Sequence, residues 1–142
     1  MKLNPIALSA IILLFSMIFP ASLSAQQKDD EQDVAMHAAE EADKLQRSLD
    51  LEDWQVFYVD STLQHDLGAI VAEFEKLQAS KVTNVSLYQG VQDKWRAQID
   101  ATYKKIFTEE QWAAYMKTAG KAMKAREKRQ AKAAGTTDKK KK

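Results

Sequence analysis

The stretch VFYVDSTLQHDLGAIVAEFEKL (residues 56–77) places apolar side chains at Val56, Val59, Leu63, Leu67, Ile70, Phe74 and Leu77, in steps of 3, 4, 4, 3, 4 and 3. Steps of three and four keep one face of an α-helix apolar, whereas a half-buried strand would alternate. A second stretch, YQGVQDKWRAQIDATYKKI (residues 88–106), repeats the pattern through Tyr88, Val91, Trp95, Ile99, Thr102 and Ile106. Only a polar link at 80–84 separates the two, so they are expected to fold back as a long antiparallel hairpin with coiled-coil-like packing.

Working outward from the hairpin, Val34, Ala38, Ala42 and Leu45 mark a weaker stripe on an acidic helix over about 31–48. An alanine-rich stripe buries little area, which makes this the least firmly anchored element. A fourth helix begins at Thr108 and carries Trp112, Tyr115, Met116, Ala119 and Met123; beyond Met123 it is a solvated helix or frayed end to Ala134. Residues 135–142 read as a disordered Lys-rich tail. The expected fold is therefore all-α, four helices over residues 26–134. Both prolines, Pro5 and Pro20, lie ahead of this region, and the four glycines are spread thinly through the whole.

Residues 1–25 have the layout of a secretory signal: Lys2, an apolar run over 6–19, and small residues ending at Ala25. The run is too short to span a bilayer comfortably, and Pro20 interrupts it. Cleavage before Gln26 predicts an exported protein, with a bacterial periplasm as the simplest compartment. Without cysteine there is no disulfide framework, no thiol nucleophile and no lipidated N-terminal cysteine.

The helix starts hold the most specific local chemistry. Thr108-Glu109-Glu110-Gln111 is a capping box, in which the Thr108 hydroxyl accepts from the Gln111 N–H and the Gln111 side chain reaches back to the N–H of Thr108. At the second helix, Leu51-Glu52-Asp53-Trp54-Gln55 keeps the leucine and the glutamine but places Glu52 at the capping position, so this junction is expected to be held less firmly. Folding the hairpin brings both boxes to the same end.

These two boxes, LEDWQ over 51–55 and FTEEQ over 107–111, resemble the LTxxQ family of periplasmic proteins that includes Spy and CpxP. Leu51 and Gln55 match in the first copy, which lacks the threonine; Thr108 and Gln111 match in the second, where Phe107 stands for leucine. The resemblance implies a thin, curved antiparallel homodimer with a concave face. It also implies a role as an ATP-independent chaperone or as an accessory of envelope-stress sensing.

Two surfaces are candidates for partner contact. Trp54, Phe57 and Tyr58 fall opposite the main stripe of the second helix. Packing on the first or fourth helix is the expectation for Trp54 and Phe57, and a dimer or client contact for Tyr58, whose ring keeps a polar tip. The second surface is electrostatic. Acids outnumber bases 18 to 9 over residues 26–111, and bases outnumber acids 11 to 2 over 112–142. Lys117, Lys121, Lys124, Arg126, Lys128, Arg129 and Lys132 make the last helix cationic. They read either as a solvated face complementing the acidic first helix, or as a surface capturing acidic or unfolded polypeptides or anionic lipid heads, the latter a peripheral membrane contact.

Other chemistries are disfavoured. His37 and His65 lack metal-ligand spacing, and the acids at 29, 30, 31 and 33 sit in a stretch read as flexible, so no metal or cofactor is expected. With no phosphate-cradling glycine loop or nucleophile elbow, an enzyme is not expected. Export and the absence of a recognition module argue against nucleic acid. Three function classes remain: an exported chaperone-like protein binding unfolded or stressed envelope proteins, a regulatory accessory protein docking on a membrane sensor of envelope stress, and a structural subunit whose charged halves mediate assembly only.

Overall fold

The structure, a computed structural model, describes residues 23–138, with side chains for 29–135. The described chain is all-helical and contains no strand: α1 (Leu23–Leu49), α2 (Asp53–Ala79), α3 (Val85–Ile106) and α4 (Glu109–Asp138). Each helix packs antiparallel on the next, and α1 also touches α4. None is long and apolar enough to cross a membrane. Most of the proposed leader, and residues 139–142, lie outside the described residues.

Two boundaries differ from the sequence reading. The first helix starts at Leu23, not near residue 31, so the acids at 29–33 are helical. The last helix continues to Asp138, so residues 135–138, read as part of a disordered tail, are helical too. Extending an existing helix fixes one residue per new hydrogen bond, so Gly135 slows propagation by about 1 kcal/mol without stopping it.

The core gathers Ala38, Ala42 and Leu45 of α1, Val59 and Leu63 of α2, and Ile99 and Tyr103 of α3, closed by the link residues Leu51 and Phe107. Ala38 and Ala42 are 0 % and 2 % exposed. Small side chains let α1 lie close against α2, so a stripe that buries little area still sits at the centre of the packing. At the junction end four aromatics interlock: Tyr103 stacks on Phe107 at 5.1 Å, and Tyr115 meets Tyr103, Phe107 and Trp112 at 5.6–5.8 Å between ring centroids.

The far end of the hairpin is a tight turn. Lys81 takes the left-handed conformation (φ 56°), with Val82 N–H donating to the Leu77 carbonyl and Lys81 N–H to that of Gln78, which terminates α2 in a Schellman motif. Asn84 then caps α3 by accepting from the Ser86 N–H at 3.0 Å. Tyr88 packs its ring on Phe74 at 5.2 Å and donates its hydroxyl to the Val82 carbonyl.

Midway along the hairpin, Glu73 of α2 accepts from Lys94 Nζ at 2.6 Å and from the Trp95 indole at 2.8 Å, both on α3. These two donors hold the Glu73 carboxyl below its ordinary value of 4.5. The folded state thus binds the proton less readily than the unfolded chain. The contact stabilises fully above pH 4.5 and is lost as pH falls through the lower folded value. Glu73→Gln should slightly lower the thermal midpoint at neutral pH and flatten its fall on the acid side of pH 4.5, read by circular dichroism. An unchanged acid limb would show that the clip contributes nothing.

Candidate functional site

At the junction end the two boxes interlock through their glutamines. Gln55 is 2 % exposed; its Oε1 accepts from the Glu52 N–H at 2.9 Å, and its Nε2 donates to the Ile106 carbonyl at 2.8 Å. Gln111 repeats the arrangement: Oε1 accepts from the Thr108 N–H at 2.9 Å and Nε2 donates to the Asp50 carbonyl at 3.3 Å. The amides also pair with each other, Gln55 Nε2 to Gln111 Oε1 at 2.7 Å and Gln111 Nε2 to Gln55 Oε1 at 3.1 Å. Thr108 completes its box by accepting from the Gln111 N–H at 3.2 Å. Leu51 and Phe107 are buried beneath, at 5 % and 7 % exposure. The junction expected to be the weaker one carries the more buried glutamine, because Gln55 ties to α3 as well as to its own helix start. Asp50, in the left-handed region (φ 52°), lets the Leu51 N–H return to the Gln46 carbonyl and ends α1 there.

This clamp sets how α2 leaves the junction. Trp54, Phe57 and Tyr58 lie on its outward side at 50 %, 67 % and 52 % exposure. The packing of Trp54 and Phe57 on a neighbouring helix, expected from the sequence, does not occur: α1 and α3 occupy the other faces of α2, and no helix among those described covers this one. The three rings meet edge to face, Trp54 with Tyr58 at 6.2 Å and Phe57 with Tyr58 at 5.8 Å, and the Trp54 indole donates to Glu52 Oε2 at 2.6 Å.

The cations of α4 divide into two stripes. Arg126 turns inward to Asp100 of α3, and Arg129 donates two hydrogen bonds of 2.7 Å to Asp93. Arg126 is therefore engaged inside the molecule and not available to a partner. The arginines complement buried aspartates of α3, not the acidic first helix. Lys117, Lys121, Lys124 and Lys128, spaced 4, 3 and 4, are exposed, and none of the four makes an ion pair among the described residues.

Asp93 and Asp100, 6 % and 5 % exposed, were not picked out by sequence reasoning; nor were Arg96 and Tyr103. Their 3, 4, 3 spacing was the available signal, a second helical stripe on α3 hidden behind the apolar one. Asp100 also accepts from the Tyr115 hydroxyl at 2.7 Å. Burial first, then that bond, push the Tyr115 pKa up; burial does the same for Tyr103, whose hydroxyl has no partner among the described residues. These groups border a cavity of about 710 Å³ between α3 and α4. No group of three or more potential metal ligands occurs among the described residues.

No protein-family model, curated protein or solved structure matches the chain.

The clamp makes a quantitative expectation. Gln55→Ala leaves the part-buried Ile106 carbonyl and the Glu52 N–H without their side-chain partner and should cost about 1–3 kcal/mol in urea unfolding; Gln111→Ala should cost about 1–2 kcal/mol. The double variant should fall short of the summed losses by at least about 0.5 kcal/mol. Strict additivity would mean that the two amides do not act as a unit.

Proposed function

We propose that this is an exported, ATP-independent chaperone-like protein of the LTxxQ, Spy/CpxP-like type, which holds unfolded envelope proteins reversibly and acts as a homodimer in the periplasm. The observation that carries the reading is the uncovered aromatic trio Trp54, Phe57 and Tyr58, each at least half exposed. Rings of this size supply contact area at low rotamer entropy, and the Tyr58 hydroxyl serves polar segments of a client. The lysine stripe of α4 adds long-range, salt-screened attraction without shape requirements. Contacts of this kind bind many sequences weakly and release quickly, as a client must be released to fold. The paired boxes support the family reading, since a glutamine clamp explains why both copies retain Gln55 and Gln111.

The test is suppression of light scattering from an aggregating client by the purified protein at near-stoichiometric ratio, at low and high salt. Suppression should weaken as salt rises. Replacing Trp54, Phe57 and Tyr58 by Ser should reduce apparent client affinity about tenfold, the equivalent of ~1.4 kcal/mol, with helicity unchanged. Failure to protect any of several clients would remove the proposal, and full activity of the triple variant would remove the aromatic surface from it.

A further inference from the structure

We propose that two copies of the chain pair side by side, the acidic outer face of α1 in each lying antiparallel on the lysine face of α4 in the other. This gives the homodimer its interface and rests on that reading for the number of copies; the aromatic trio of α2 takes no part. On α1, Asp29, Asp33, Met36, Glu40, Asp43 and Arg47 are all exposed. At 100° per residue they stand opposite the buried Ala38, Ala42 and Leu45, so they point away from the core. On α4, Glu110, Lys117, Lys121, Lys124 and Lys128 are exposed on the side away from Tyr115 and Arg126, which reach Asp100 of α3. Both faces therefore turn away from the α2–α3 hairpin, on the side where α1 adjoins α4. Among the described residues the only ion pair these groups make within the chain is a loose one, His37 to Glu40 at 4.0 Å.

Spacing sets the register. Read backwards from Arg47 to Asp29, the α1 face steps by 4, 3, 4, 3 and 4; read forwards from Glu110 through Ala114 to Lys128, the α4 face takes the same steps. Antiparallel helices in this register bring Arg47 to Glu110, Glu40 to Lys117, Asp33 to Lys124 and Asp29 to Lys128, each to its opposite charge. Met36, 54 % exposed, meets the alkyl stem of Lys121. The sign changes at Arg47 on one face and at Glu110 on the other, so the match holds through the reversal. A parallel alignment with the same steps would set Arg47 against Gly135 and lose it, and opposed helix dipoles favour the antiparallel choice as well.

The matched residues also lie level in the folded chain. The Gln111 amide donates to the Asp50 carbonyl at 3.3 Å, which holds the end of α1 beside the start of α4. Counted from Leu49 and Glu109, Glu40 and Lys117 lie about 13.5 and 12 Å along their helices, and Asp29 and Lys128 about 30 and 28.5 Å. A two-fold axis parallel to the helices exchanges α1 and α4 with no axial slide, so both seams form together in a closed pair. Exposed ion pairs contribute little singly, which makes the association weak and sensitive to salt. An acidic client segment and the second copy compete for the same lysines.

Sedimentation velocity of the purified protein, with no client present, is the test. Association should weaken about tenfold or more as salt rises from about 0.05 M to about 0.5 M. Asp33→Lys with Glu40→Lys should abolish it, and so should Lys117→Glu with Lys124→Glu, with helicity unchanged by circular dichroism in both. Mixing the two reversed proteins should restore a dimer, since each acidic or basic face then meets its opposite. A dimer that persists at high salt or in either reversed protein overturns the interface and leaves the homodimer standing, as does a mixture that stays monomeric. A parent protein monomeric at about 0.1 mM removes both. Vesicles of phosphatidylglycerol are the parallel arm: a monomeric parent that floats with them, and stops doing so on Lys117→Glu with Lys124→Glu, would assign the lysines to a lipid surface and overturn the pairing.

Discussion

The reciprocal hydrogen bonds between Gln55 and Gln111 are the constraint on which the placement of all four helices depends. Each amide oxygen caps its own helix, and each amide nitrogen crosses to a carbonyl at the neighbouring junction, Ile106 for Gln55 and Asp50 for Gln111. The task needs a donor and an acceptor on the same terminal group, which a carboxamide has and a carboxylate does not. Glutamate at either position would cap but not cross, and at both would set two like charges together. Asparagine would lack the methylene that reaches across. The clamp thereby joins the end of α1, the start of α2, the end of α3 and the start of α4 in one part-buried polar network, and the packed rings of Tyr103, Phe107 and Tyr115 close beneath it.

Away from this end, cohesion changes in kind. The α3–α4 contact is held by Asp100–Arg126 and Asp93–Arg129 in place of apolar packing. Seven residues separate the aspartates, about 10.5 Å along α3, while three separate the arginines, about 4.5 Å along α4. The long arginine stems splay to bridge the difference, and Ala119, Ala122 and Ala125, which precede them on α4, border the open space beside them. Buried ion pairs contribute little net stability once their desolvation is counted, but they resist mispairing, so this pattern fixes register more than it adds cohesion. A rigid, well-packed end and an open, polar interior follow from the same helix.

The helical stripes were legible because burial of one apolar face leaves a 3–4 period, and all-α architecture with four helices follows from that period alone. Boundaries were less legible: the start at Leu23 and the continuation past Gly135 carry no local stop signal that the chain obeys. The boxes could be read as caps from Thr108 to Gln111, but their mutual contact could not, since it depends on two segments 56 residues apart meeting at one point. The aromatics show the converse error. Large rings on a helix usually find a neighbour, and Trp54 and Phe57 were assigned one; with α1 and α3 filling the other faces of α2, none remained. The buried aspartates escaped notice because a charged residue at helical spacing normally marks a solvated face.

Charge counting concealed a sorting that the side-chain chemistry explains. On α4 the two arginines turn toward the buried aspartates, and Lys117, Lys124 and Lys128 face outward. Guanidinium is weakly hydrated and planar, so it surrenders water at modest cost and matches a carboxylate with two bonds; ammonium holds its water and stays outside. The basic half of the chain thus performs two tasks that a net charge adds together. The exposed rings gain from the same economy of order: Tyr58 lies between Trp54 and Phe57, the indole is tied to Glu52, and the clamp fixes the helix beneath. A surface already held in place loses little freedom when it meets a partner, so modest contact area can still yield measurable binding.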